Sequence, residues 1–297
     1  MDKIDEIMRG FIAELGYERA DEIFSEISSG KKLRSKLILK IAGETQESLK
    51  ICAIIELIHL ASLLHDDVID GSDTRRGKAS INAKFGAKNA IMLGDILYSK
   101  GFFELCKFGE KIASVISDAV CKLSIGEMMD VELSNSFNTD KEAYKRMIYY
   151  KTAVLIEASS AVGAILAGLD ESKFRIYGKN LGLAFQIIDD ILDITQDAKT
   201  LGKPNLSDFK EGKTTLPYIY LYENLDQEGK NRLLNLFKKE LSNEENEWVR
   251  AKMSEFNIIK RSIKEAKDLG EEAIKSIEEF GLDGLKDIVR SMIDREF

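Results

Sequence analysis

The chain has 297 residues, 44% hydrophobic and 32% charged, enough apolar material for a substantial core beneath a well-solvated surface. Its formal net charge of −8 excludes a general nucleic-acid binder, but not a protein for anionic ligands, because bound cations invert the local sign. Cys52, Cys106 and Cys121 lack CxxC spacing, which excludes a disulfide framework and reads as three reduced, buried thiols of a cytoplasmic protein.

Residues 2–27 space apolar and charged side chains at a helical period until Ser28-Ser29-Gly30 breaks it; the charged start is no secretory signal. A second helix is expected over 31–42, and a long one, rich in Ile, Leu and Ala, over 46–70. Gly71 to Gly77 reads as a loop. Helical patterns continue through about 79–85, 87–107, 110–134, 140–169 and 172–196. Within them, Ala153–Leu169 holds Glu157 and is too short and polar for a membrane span, so a central buried helix is expected and no transmembrane segment. Residues 197–215, with Gly202, Pro204 and Gly212, read as loop, and the pattern is helical again after Pro217. With only two prolines, no alternation of period two and no linker, the chain reads as all-α, one domain over 1–297.

One pattern occurs twice. His65-Asp66-Asp67-Val68-Ile69-Asp70 and Asp189-Asp190-Ile191-Leu192-Asp193 both have the form D-D-x-x-D, each at the end of an apolar helical run. On a helix, residues i and i+4 lie on one face about 5–6 Å apart, so Asp66 with Asp70, and Asp189 with Asp193, can share a cation. Carboxylate pairs completed by water and phosphate oxygens suit Mg²⁺. An isolated triad reads equally well as surface decoration. The duplication, against the cost of like charges at i,i+4, points to cation sites facing a common cavity.

Basic groups accompany the triads: Gly30-Lys31-Lys32-Leu33-Arg34, Arg75-Arg76, Lys151-Thr152, Lys203 and Lys213. Singly, each reads as a solvated surface group, and Lys32 and Lys36 are expected to be that. Together, acidic triads with cations, and no Ser/His or Cys/His set, imply metal-bridged diphosphate chemistry. The absence of G-x-x-x-x-G-K-[ST] argues against a P-loop enzyme.

These stretches (GKKLR at 30–34, LLHDDVIDGSDTRRGKAS at 63–80, GD at 94–95, KTA at 151–153, FQIIDDILD at 185–193 and GKPNLSDFKEGKTTLP at 202–217) resemble the trans-isoprenyl (polyprenyl) diphosphate synthase family, from Gly30 to Pro217. The resemblance implies an antiparallel helical bundle around a deep apolar cavity, a homodimer, and Mg²⁺ ions, three per active site, with Mn²⁺ as a substitute. It implies that Asp66, Asp67 and Asp70 bind the ions on the allylic diphosphate, and that Asp189 is the main ligand of a third, supported by Asp190 and Asp193. Arg75, Lys151 and Lys203 hold the allylic diphosphate; Lys31, Arg34, His59 and Arg76 hold isopentenyl diphosphate. Thr152 and Gln186 set oxygen dipoles beside the carbocation, and Lys213 helps close the site. Where the family often has Pro after the arginine of its first basic motif, this chain has Ser35.

The resemblance also implies that the small Ala61 and Ser62 upstream of Asp66 leave room for a long tail, and that the short first motif disfavours a farnesyl synthase. The expected product is about C40, for quinone side chains, with transient membrane contact for its release. Met128, Met129 and Leu133 are candidate floor residues, each read first as core packing. The alternatives are a geranylgeranyl or farnesyl synthase, a class I terpene cyclase, disfavoured by the second triad, and a non-catalytic synthase subunit, disfavoured by the retention of both triads.

Overall fold

The structure is a computed structural model describing residues 1–28, 30–195 and 206–293. In chain order it holds α1 (Asp2–Ala13), α2 (Glu18–Ser25), α3 (Leu33–Ala42), α4 (Gln46–Ile69), β1 (Thr74–Arg75), β2 (Lys78–Ala79), α5 (Ile81–Phe85), α6 (Ala87–Leu105), α7 (Glu110–Leu133) and α8 (Lys141–Ile148). A π-helical turn, Tyr149–Ala153, precedes α9 (Val154–Ala167) and α10 (Glu171–Thr195). Then follow α11 (Ser207–Lys210), α12 (Leu216–Asn224), α13 (Gln227–Leu236), α14 (Asn243–Glu255), α15 (Ile258–Ser276) and α16 (Asp283–Ile293). The all-α expectation holds. Among the described residues the one sheet is the antiparallel β1–β2 hairpin, lying where a loop was expected. Residues 2–27 form two helices, parted at Gly16, whose φ of 66° ends the first.

The described residues cluster into two compact units, each discontinuous in sequence: Met1–Val120 with Ala158–Arg175, and Cys121–Glu157 with Ile176–Phe297. In the first, α4 packs against α1, α3 and α6. Its start is set by a capping box: the Thr45 side chain accepts from the Ser48 amide, and the Ser48 hydroxyl accepts from the Thr45 amide. From Ile51 to Ile58 every residue is buried. Fully burying one such aliphatic side chain is worth about 1.5–3 kcal/mol, so this run anchors the helix that ends in the first triad. In the second unit, the core gathers Ile187, Ile188 and Ile191 of α10 with Phe209, Leu216, Tyr218 and Ile219.

Gln46–Ile69 and Lys141–Ala167 are long and apolar enough to cross a membrane, but 72% and 61% of their apolar windows are buried inside the protein. Ala153 to Ala164 is largely buried, as its composition predicts. Of the cysteines only Cys52 is buried, and burial pushes its thiol up to about 12; Cys106 and Cys121 are exposed, contrary to the expectation for all three. Met128, too, is exposed and packs in no core.

Candidate active site

In the first unit the last turn of α4 presents Asp66 half-buried, Asp67 buried and Asp70 exposed. Arg75 is delivered to them by the β-hairpin. Its Nη2 lies 2.6 Å from Asp67 Oδ1 and 3.0 Å from Asp66 Oδ2, and its Nε donates to Asp67 Oδ1 at 2.7 Å. Burial opposes the Arg75 charge, but the two carboxylates outweigh it and raise its pKa. The hairpin turns on Arg76 and Gly77, with φ of 54° and 73°. Positive φ at both central residues is the tight turn that matches strand twist, and a non-glycine there is a strained position of the kind that collects at functional sites.

Arg76 reaches back to the first basic motif, its Nη1 donating to the Ser28 carbonyl at 2.6 Å. Its guanidinium lies over Gly30, where an added Cβ would collide with it. The His59 imidazole is held well below its ordinary pKa, by burial first and then by the charges of Arg34, Arg76 and Arg75. Burial also pulls Arg34 down to about 10, with Glu56 opposing it, so it stays charged at neutral pH. Glu56 is buried and accepts from Ser35 Oγ at 2.6 Å. Ser35 therefore supplies a hydroxyl that proline lacks, for a carboxylate countering a basic cluster.

Lys31 is exposed and Lys36 also. Lys32 corrects the sequence reading. It is buried, in the left-handed region with φ of 49°, and paired with Asp5. Ala61 is fully buried; Ser62 is half-buried and donates to the His59 carbonyl at 2.7 Å. His65 Nε2 lies 3.1 Å from the Ile91 carbonyl oxygen and 3.5 Å from Asp95 Oδ1.

In the second unit a cavity of about 100 Å³ is lined by Lys151, Thr152, Gln186, Asp190, Asp208 and Lys213, among others. Lys151 and Thr152 sit in the π-helical turn, a rare bulge often found at functional sites. Glycines let its neighbours close in: a Cβ on Gly126 of α7 would strike the Lys151 backbone, and one on Gly182 of α10 would strike Ala153. Thr152 Oγ1 donates to Gln186 Oε1 at 2.8 Å, Gln186 Nε2 donates to Asp190 Oδ1 at 2.9 Å, and Tyr144 OH donates to Asp190 Oδ2 at 2.5 Å. Oδ1 of the buried Asp190 thus holds the Gln186 amide, while Tyr144 holds its Oδ2. Burial, then the charge of Asp208, pushes Asp190 well above the usual carboxylate range.

Asp193 is buried, accepting from Ser207 Oγ at 2.7 Å and from the Asp208 amide at 3.2 Å at the start of α11. Asp189 is half-buried. Lys213 Nζ lies 2.8 Å from Glu211 Oε2. Lys203 lies outside the described residues. Glu56, Tyr144, Glu127 and Asp130 were missed in the sequence. The signals were a lone glutamate inside an apolar run, and Gly126-Glu127-x-x-Asp130, which puts both carboxylates on one helix face.

Among the described residues no group of three or more His, Cys, Asp or Glu is gathered as a metal site by itself. Asp66 and Asp70, hard oxygen donors one turn apart, fit a divalent cation that takes its remaining ligands from diphosphate and water.

Comparison with solved structures places the chain in the all-α isoprenoid synthase class. A crystal structure titled octaprenyl pyrophosphate synthase from Helicobacter pylori matches with a TM-score of 0.94 and 47% identity, covering 98% of this chain and 97% of that one. The sequence profile of the polyprenyl synthetase family matches residues 17–253. Octaprenyl diphosphate synthase of Escherichia coli is 40% identical over 217 residues, 70% of this chain and 65% of that protein. A short chain isoprenyl diphosphate synthase of Methanocaldococcus jannaschii is 35% identical over 264 residues, 82% of this chain and 79% of that protein. The chain belongs to the polyprenyl synthetase family and is a prenyltransferase.

Proposed function

We propose that this prenyltransferase extends an allylic diphosphate, farnesyl or geranylgeranyl, with isopentenyl diphosphate in trans, to a product of about C40 for quinone side chains. The observation that carries the reading is the clasp of Arg75 by Asp66 and Asp67 at the end of a buried helix. A guanidinium fixed beside carboxylates is preorganised for a diphosphate arriving with its cations.

Arg75, Lys151 and Lys203 bind the allylic diphosphate, and Lys31, Arg34, His59 and Arg76 bind isopentenyl diphosphate. Asp66 and Asp70 are the main metal ligands of the first triad, with Asp67 behind them; Asp189 leads the second, with Asp193. Divalent cations, with Mg²⁺ the fit for these hard oxygens, supply charge neutralisation for the leaving diphosphate when bound. The allylic C–O bond breaks heterolytically. Thr152 and Gln186 turn oxygen dipoles toward the resulting cation, with Asp190 and Tyr144 fixing the Gln186 amide. The isopentenyl C=C attacks that cation, and the proton lost passes to the departing diphosphate. Lys213 helps close the site, because water would quench the cation.

Small residues at Ala61 and Ser62, and the 47% identity to a protein titled octaprenyl pyrophosphate synthase, support the long product. The short-chain relative supports a second reading, a product shorter than C40. Exposed apolar side chains on α6, Met92 and Phe103, support a homodimer. A cytoplasmic enzyme of one functional domain, touching membrane transiently at product release, completes the reading. The test is chromatography of products from farnesyl and isopentenyl diphosphates with the purified chain and Mg²⁺. A ladder ending near C40 supports the reading; arrest at C20 favours the short-chain one, and no elongation overturns both.

A further inference from the structure

Lys151 is held in place before any substrate arrives. Its Nζ lies 2.6 Å from Asp130 Oδ2 and 3.0 Å from Glu127 Oε2. Asp130 is 5% exposed, and both carboxylates come from one face of α7, three residues apart. The backbone is fitted to this contact from both sides. The π-helical turn carries Lys151, and the absent side chain of Gly126, one position before Glu127, lets α7 approach the Lys151 peptide itself.

A lysine head group is a compact charge on a flexible stem with three donors. A hydrogen bond to Asp130 and an ion pair with Glu127, both from one helix face, fix the direction of its head group. Asp130 lines the same cavity as Lys151, Thr152 and Gln186, yet a carboxylate there repels a diphosphate. Within that cavity it grips the lysine.

We propose that Asp130, assisted by Glu127, is a positioning residue that orients Lys151 toward the diphosphate of the allylic substrate. The inference rests on the assignment of Lys151 to that diphosphate. Asp130 touches no reacting atom in this scheme; it acts through Lys151.

The experiment is a double-mutant cycle with Asp130→Asn and Lys151→Gln in the full-length enzyme, following KM for farnesyl diphosphate, KM for isopentenyl diphosphate and kcat. Asp130→Asn keeps the shape and removes the charge. It is expected to raise KM for farnesyl diphosphate about 10- to 100-fold, the scale of one charge-assisted hydrogen bond, while KM for isopentenyl diphosphate moves less than about threefold. In the Lys151→Gln background the same change is expected to have no further effect. Asp130→Glu is expected to restore part of the loss. If Asp130→Asn does not fold, Glu127→Gln, at the less buried carboxylate, reads the same selective rise. Additive effects, or equal shifts in both KM values, overturn the positioning role while leaving Lys151 as a ligand. An unchanged KM in Lys151→Gln alone overturns the assignment of Lys151, and the proposal with it.

Discussion

The phenol of Tyr144 donates to Asp190 Oδ2 at 2.5 Å, and both groups are buried. Asp190 belongs to a motif that reads as metal-binding, yet its other oxygen is taken by Gln186 Nε2. A buried carboxylate that loses a donor bears its desolvation without compensation. Tyr144→Phe is therefore expected to lower unfolding stability by about 1–3 kcal/mol, measured by urea denaturation. It should also lower kcat more than it raises either KM, because Gln186 loses its fixed amide direction. A variant equal to the parent in both assays contradicts the network.

Asp66→Ala should separate chemistry from folding. Asp66 sits at the end of α4 and is half-buried, and Asp67 keeps a hold on Arg75 without it. Loss of one preorganised electrostatic contact typically costs about 10²–10³ in rate. Turnover is expected to fall at least that far at saturating Mg²⁺, with the thermal midpoint little changed. Full activity would remove the first triad from the reaction.

Chelation offers a second separation. Apolar burial from Ile51 to Ile58 anchors the helix that ends in the first triad, so the fold is expected to hold without a cation. EDTA is expected to abolish turnover while leaving the circular-dichroism melt in place, and added Mg²⁺ to restore activity. A melt that falls with chelator would mean that the metal is structural.

His59 gives a pH test with a definite sign. Its folded pKa lies well below its ordinary value of about 6.5, chiefly through burial and then through Arg34, Arg76 and Arg75. Below pH 6.5 the unfolded chain takes up a proton that the folded chain refuses. The stability that this group contributes is complete above about pH 6.5 and is lost as pH falls toward the folded pKa. The slope approaches about 1.4 kcal/mol per pH unit. Urea midpoints between pH 7 and pH 5.5 should fall less steeply in His59→Gln than in the parent; equal slopes would mean that His59 titrates normally.

Ala61→Phe tests the course of the product. Ala61 has no exposed surface, so a phenyl ring there must displace something. Overpacking costs about 1–3 kcal/mol, which a thermal melt will report. In the folded variant the product ladder is expected to end several isoprene units earlier. An unchanged ladder would put the growing tail elsewhere.

Much of this protein was legible before its coordinates. The helical period, two prolines and no alternation set the all-α class, because a 3.6-residue pattern buries one stripe only as a helix. The paired D-D-x-x-D motifs located the acidic groups, since i,i+4 spacing is local geometry. Helix ends were displaced where only a backbone angle decided them, as at Gly16, which split one expected helix into two.

Partners distant in sequence were decided by tertiary structure. The composition of Gly30-Lys31-Lys32-Leu33-Arg34 does not distinguish an exposed Lys31 from a Lys32 buried against Asp5. Ser35 looked like a lapse from a family pattern until Glu56 was found beside it. Asp190 and Lys151 carry charges whose use depends on which donor or carboxylate packs within 3 Å, on Tyr144, Gln186 and Asp130. Local spacing determines which helix face a charge occupies. Long-range packing determines what meets it there, and the burial that results sets its protonation and its work.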